Sequence, residues 1–388
     1  MDEASPVRRG PLSGMRVVEF AGIGPGPFCG MLLADLGADA VRVDRPGGQP
    51  GNPLAPEFDL LTRGKRSIVV NLKDPGAASV ALRLAETADV LIEGFRPGVA
   101  ERLGIGPEAC FARNPQLVYG RMTGWGQDGP LAARAGHDVN YIAVAGALGL
   151  MGPADGPPAL PVNLLGDFGG GAILLAFGLV SAVLAARESG RGQVVDAAIV
   201  DGTALLTTFV HALRAQGLWS GGRGGNLLDG GAHFYGVYEC ADGRHVSIGS
   251  IEPQFHHELL RLLGLDDEEF ARGRSDPSAW VHLRARLEKI FRERTADEWT
   301  ELLGDRDVCF GPVLDLDDVA EHPHNRARGT FTEAHGLRQP APAPRFSGTP
   351  AALPGPPAAP GAHSNEVLAA HGFSTEEITR LFEAGTVR

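Results

Sequence analysis

Three short segments of the chain set ionisable side chains among glycines: AGHDVNY at residues 135–141, NLLGDFGGG at 163–171 and GSIEPQF at 249–255. They bring His137, Asp167 and Glu252 to turns between predicted elements. An imidazole with two carboxylates is equipment for acid/base catalysis, in which a positioned group takes or returns a proton. Each residue also has an ordinary reading. A buried His137 can be satisfied by a neighbouring carboxylate, Asp167 can cap a helix over residues 169–186, and Glu252 can be a loop acid.

Other motifs lead nowhere. The glycines at residues 22–26, with Asp44 about 20 residues on, invite a dinucleotide reading. The spacing fails, because the sixth position from Gly22 is Pro27 and from Gly24 is Cys29. Two prolines also remove N–H groups that a pyrophosphate would use. Gly64 and Lys65 are followed by Arg66, so there is no P-loop, and neither a G-x-S-x-G elbow nor an H-E-x-x-H pair is present. His256 and His257 are adjacent on a predicted helix, point to different faces, and read as surface residues rather than metal ligands. No metal is expected.

The bulk numbers narrow the class. The 388 residues suit two or three domains. A net charge of -12, from 47 acidic and 35 basic residues, argues against a nucleic-acid partner. Cys29, Cys110, Cys240 and Cys309 form no C-x-x-C pair, which fits a reducing cytoplasm better than a disulfide framework. The start carries no apolar stretch of a secretory signal. The most apolar run, residues 172–186, is shorter than the ~20 residues of a bilayer span and reads as a buried helix.

The elements that must position these groups alternate strand and helix. Strands are predicted at residues 15–20, 40–43, 67–70, 90–92 and 117–121, with helices at 28–36, 75–87 and 107–114 between them. That order builds an α/β fold, a large Rossmann-like parallel sheet with right-handed crossovers. It occupies residues 1–198, a helical and Gly-rich linker spans 199–236, and a smaller α+β domain spans 237–328. In the small domain a hairpin over 236–240 and 245–249 precedes helices at 254–263, 280–292 and 296–303 and a strand at 313–316. Residues 329–388 return as a proline-rich strap and a last helix, capped by Ser374 and Glu377, to complete the large domain.

The three polar segments, in this order, resemble those of the 2-methylacyl-CoA racemases of the class III CoA-transferase superfamily. The similarity covers nearly the whole chain: PLSGMRVVEF at 11–20, LIEGFRPGVAERLG at 91–104, RMTGWGQDG at 121–129, GQVVDAAIVDG at 192–202 and YECADG at 238–243. The resemblance implies an isomerase of fatty acid metabolism that interconverts (2R)- and (2S)-2-methylacyl-CoA thioesters by proton transfer through an enolate. His137 and Asp167 would face the two sides of the α-carbon, as inversion through a planar enolate requires. Backbone N–H groups at a glycine turn would hold the enolate oxygen. Glu252 would orient His137, reaching it from a second subunit of an interlocked homodimer.

Coenzyme A is then part of the substrate, and no separate cofactor is implied. Arg45, Arg96 and Arg102 would meet its phosphates. The run Val70, Asn71, Leu72 and Lys73, with Gly94 and Phe95, would flank its adenine and pantetheine. Gly136, Asp138, Val139, Asn140 and Tyr141 would complete the contacts. Asp167 carries a tension, since a helix start favours its anion while burial against an acyl chain favours the acid.

The alternative is a class III CoA-transferase, in which Asp138 holds the position of the nucleophile that forms a covalent intermediate. The histidine before it, Asn140, Tyr141 and the I-E-P-Q-F segment favour the racemase. His233 stands where proline is more usual and Asn71 where aspartate is common, leaving branched fatty, sterol and polyketide-derived acyl groups all open.

Overall fold

The computed structural model describes residues 9–265 and 268–388. The chain forms two compact units: one of residues up to Ala145 with Val162–Leu206 and His324–Arg388, the other of Gly146–Pro161 and Thr207–Pro323. Residues 199–206 thus join the first unit rather than a linker, and 146–161 join the second.

The first unit is built on six parallel strands: β1 (Arg16–Phe20), β2 (Asp39–Asp44), β3 (Arg66–Val69), β4 (Val90–Glu93), β5 (Val118–Thr123) and β6 (Val194–Ala198). Their runs of Val, Ile and Leu are nearly continuous because helices cover both faces of such a sheet. The strand order is β3-β2-β1-β4-β5-β6. Chain direction across the sheet reverses between β1 and β4, and the strand-end loops part there to leave a crevice.

Helices α1 (Pro25–Asp35), α2 (Ala77–Glu86), α3 (Val99–Arg102) and α4 (Pro107–Arg113) connect the first five strands. After β5 come α5 (Asp138–Val144) and a π-helical stretch, Leu164–Ile173, that runs straight into α6 (Leu174–Ser189). This helix begins five residues before the predicted start at 169, so Asp167 lies inside it and is no cap. It also exceeds the predicted 15 apolar residues, reaching 26 residues, which is long and apolar enough to cross a membrane. Here one face fills the core, through Ala172, Leu175, Leu179, Ala182, Val183 and Ala186.

Helix α7 (Ile199–Leu206) follows β6 and packs tightly on the π-helical stretch. A Cβ on Gly202 would stand 1.8 Å from the Gly170 oxygen, so the glycines of G-D-F-G-G-G and V-D-G permit the approach. That packing is why residues 199–206 belong to the first unit.

In the second unit, α8 (Thr208–Ala215) precedes an antiparallel sheet of β7 (Tyr235–Glu239), β8 (His245–Gly249) and β9 (Phe310–Pro312). Helices α9 (Pro253–Leu262), α10 (Glu268–Gly273), α11 (Trp280–Phe291) and α12 (Ala296–Leu303) share its core with Tyr238, Phe270, Phe291 and Trp299. The strand expected at 313–316 is β9, a few residues earlier. His256 is not a surface residue: it is buried and its Nε2 lies 3.3 Å from that of His233, while His257 is exposed. The amphipathic turn of α9 that carries Leu259 and Leu260 inward carries His256 with it.

The C-terminal part closes the exposed edge of the large sheet. A hairpin of β10 (Phe331–Ala334) and β11 (Leu337–Pro340) leads to an extended stretch in which Pro356 accepts the Gly64 N–H at 3.2 Å. Arg388 N–H then bonds to the Val69 carbonyl at 3.1 Å, which partly covers edge strand β3. Helix α13 (Ser364–Ala370) was not foreseen; α14 (Thr375–Glu383) has the expected Ser374/Glu377 capping box and packs Ile378, Leu381 and Phe382 on the core.

Candidate active site

The crevice between β1 and β4 holds two adjoining cavities, of about 490 Å³ and about 570 Å³. Ile23, Pro25, Gly94, Phe95 and Met122 line both. The β1–α1 turn that forms one wall is anchored from below. Lys65 donates to Glu19 at 2.5 Å and to the Pro27 carbonyl at 2.8 Å, with both side chains fully buried. A Cβ on Gly30 would collide with Glu19, so α1 sits directly over this pair.

The smaller cavity takes His137 from the N-cap of α5 and Asp167 from the π-helical stretch. A π-turn widens the helix locally and often marks a functional position. Asn140 Oδ1 accepts the His137 N–H at 3.0 Å and fixes the start of α5. Asp167 is raised above the usual carboxylate range, first by burial and then by the nearby Asp138 charge; a 3.3 Å hydrogen bond from Asn163 and the His137 charge act the other way. In the tension over Asp167 burial therefore prevails, and its pKa stands above the ordinary value.

Tyr141 supports this wall. Its hydroxyl donates to the Gly136 carbonyl, its ring meets Trp125 edge-on at 4.8 Å, and a Cβ on Gly124 would fall 2.0 Å from the ring. Burial and then the Asp167 charge raise its phenol, while Arg96 opposes them.

Asp138, next to His137, is buried rather than on the cavity wall. Its Oδ1 accepts the N–H groups of Gly166 and Asp167 at 3.1 and 3.3 Å, tying α5 to the π-helical stretch. Burial raises its pKa, and those two bonds lower it.

The larger cavity is lined by Arg45, Asn71, Leu72 and Lys73, with Gly94 and Phe95 on the shared wall. Arg96 and Gly136 line the smaller one. Val70 is buried and pairs with Val387; Arg102 ends α3 exposed; Val139 and Asn140 are exposed on α5; none of these four lines either cavity. Glu252 is exposed at the N-cap of α9 in the second unit, where burial and then its charge push the Cys309 thiol up. Sequence reasoning did not single out Asn163, Trp125 or Arg134. The spacing from Asn163 to Asp167, about one helical turn, was the available signal.

A doubly wound sheet with paired cavities at its switch point and a titratable pair on their wall defines an α/β protein that works on a ligand laid across its strand ends. Within that class the chain belongs to CoA-transferase family III, which it matches over residues 12–364. It is 45% identical over 373 residues to the mouse alpha-methylacyl-CoA racemase, covering 95% of this chain and 96% of that one. The human alpha-methylacyl-CoA racemase is 43% identical over the same shares. A crystal structure of a CAIB/BAIF family protein from Brucella suis superposes with a TM-score of 0.82 at 28% identity, over 94% of this chain and all of that one.

Proposed function

We propose that the protein is an isomerase that interconverts (2R)- and (2S)-2-methylacyl-CoA thioesters. The observation that carries this is His137 and Asp167 on the wall of one cavity, beside a second cavity lined by Arg45 and Lys73. The two racemase relatives at 45% and 43% identity support the same reading.

One group removes the α-hydrogen as a proton, and the electrons of the C–H bond move into an enolate whose charge rests on the thioester oxygen. The other group delivers a proton to the opposite face, the C–H bond re-forms, and nothing is oxidised or reduced. A carboxyl raised by burial suits Asp167 to hold the proton it must give in one direction. Arg45 and Lys73 supply cations for the phosphates of CoA.

Asp138 is buried and lines neither cavity, which supports racemisation over transfer, since a nucleophile has to reach the thioester carbon. Glu252 orients His137 from a second copy of the chain in this reading. The exposed Leu164, Ile173, Phe177 and Leu184 on the long helix supply apolar surface for such a homodimer. In this reading the protein works in the cytoplasm.

In deuterated buffer, with no acceptor acid, the enzyme is expected to place deuterium at the α-carbon of a 2-methylacyl-CoA. Absence of exchange together with rapid CoA movement to a free carboxylate would make it a transferase.

A further inference from the structure

Glu93 ends β4 beneath the crevice, yet it lines neither cavity and two-base chemistry has no use for it. Its side chain is 3% exposed. Oε2 accepts the Phe95 N–H at 2.6 Å, and Oε1 stands 3.4 Å from Arg121 Nε, a buried donor with no hydrogen bond of its own. The rest of that guanidinium is held by Gln127 at 2.7 Å and by Glu101. The carboxylate thus grips the backbone of the turn whose Gly94 and Phe95 separate the two cavities. Little slack remains there. The Phe95 ring leans on Phe20 at 5.6 Å, and a Cβ on Gly94 would stand 3.4 Å from the Met122 carbonyl.

We propose that Glu93 is a positioning residue: by holding the Phe95 N–H it keeps the Gly94–Phe95 turn in the form that receives the CoA thioester, and its ionisation makes that fit depend on pH. This rests on the acyl-CoA reading of the site. The charged and titratable groups around Glu93 are Arg121 and Tyr119 on β5, Glu101 on α3 and Asp196 on β6. Burial, helped by the Glu101 and Asp196 charges, outweighs the Phe95 N–H bond and Arg121, and the carboxyl is pushed up to about 7. Acidification from pH 8.5 to pH 6 converts a charge-assisted bond to Phe95 into a neutral one of about half the strength. Loss of a carboxylate charge would by itself favour a polyanionic ligand, so the sign of the pH effect separates positioning from field.

The test compares full-length wild type with E93Q and E93A, reading kcat and KM for α-proton exchange of a 2-methylacyl-CoA and Kd for free coenzyme A. Glutamine keeps the acceptor for Phe95 without titrating. At pH 8, E93Q should stay within about threefold of wild type in KM. E93A should raise KM and Kd roughly tenfold with kcat little changed, the scale of one lost hydrogen bond to a shielded donor. The wild-type to E93Q ratio of KM, and of Kd, should rise about twofold to threefold on going to pH 6, and titration of the ligand's own phosphate cancels in that ratio. A ratio that stays flat or falls overturns the proposal, as does an E93A variant altered in kcat alone. If E93A does not fold, the ratio decides by itself. Wild type that binds CoA without exchanging an α-proton would sink the racemase reading, while the Kd ratio would still test Glu93.

Discussion

Asp167 shows how environment overrules position. A carboxylate in the first turns of a helix is ordinarily held as an anion by the N–H groups around it. Here burial and Asp138 win, and the folded-state pKa stands above the usual 3.8. A raised carboxyl favours folding below the unfolded pKa and loses that contribution as pH rises through the folded one. The Asp167→Asn variant is therefore expected to melt no lower than wild type at pH 8 while losing racemisation by about 10²–10⁴-fold. His137→Ala should lose as much. In a two-base site each variant keeps α-proton exchange from one enantiomer only, the opposite one in each case. Exchange surviving equally from both enantiomers in either variant would rule out a base on each face.

At the level of elements, the site depends on three helices drawn close by glycine. Gly166 leaves room for Asp138 of α5, and Gly170 meets Gly202 of α7 backbone to backbone. Gly202→Ala would place a methyl group 1.8 Å from the Gly170 oxygen, and one helix must move. The expected cost is roughly 1–3 kcal/mol in urea unfolding, with exchange activity falling at the same time because Asp167 rides on the displaced helix. Unchanged stability would mean that the close approach is not what holds Asp167.

The same stretch explains what the sequence does and does not disclose. Five strands were legible because buried parallel strands need unbroken apolar runs, and Val17, Val41, Ile68, Leu91 and Val118 lie in them. The start of the long helix was not, since Gly166, Gly169, Gly170 and Gly171 look like loop residues until α7 is seen packed on them. Helix α5 was hidden behind the polar G-H-D-V-N-Y segment for a similar reason: His137 and Asn140 are its cap. His256 was misjudged because adjacency tells that two side chains diverge and not which one turns inward. His137 and Asp167 were legible as types. Their sharing of one cavity is a property of the sheet's switch point, and Glu93 gave no local signal because its partner is the backbone of its own turn.

For the whole molecule, the open matter is how many chains make one site. His137 and Asp167 belong to the first unit and Glu252 to the second, and the long helix exposes Phe177 at 71% among other apolar side chains. A homodimer in which Glu252 serves the His137 of its partner has a consequence that no single-chain arrangement shares. Consider co-expression of a His137→Ala chain with a Glu252→Ala chain, each unable to racemise alone. In the mixed dimer one site loses both residues, whereas the other joins an intact His137 to an intact Glu252, so about half of the activity per mixed dimer returns. If each chain used its own Glu252, both sites of the mixed dimer would lack one residue and activity would stay at the level of the separate variants. Purification through two different tags isolates the mixed dimer, and racemisation per mole reads the outcome. Sedimentation of the wild type as a monomer at assay concentration would refute the shared arrangement before any variant is made.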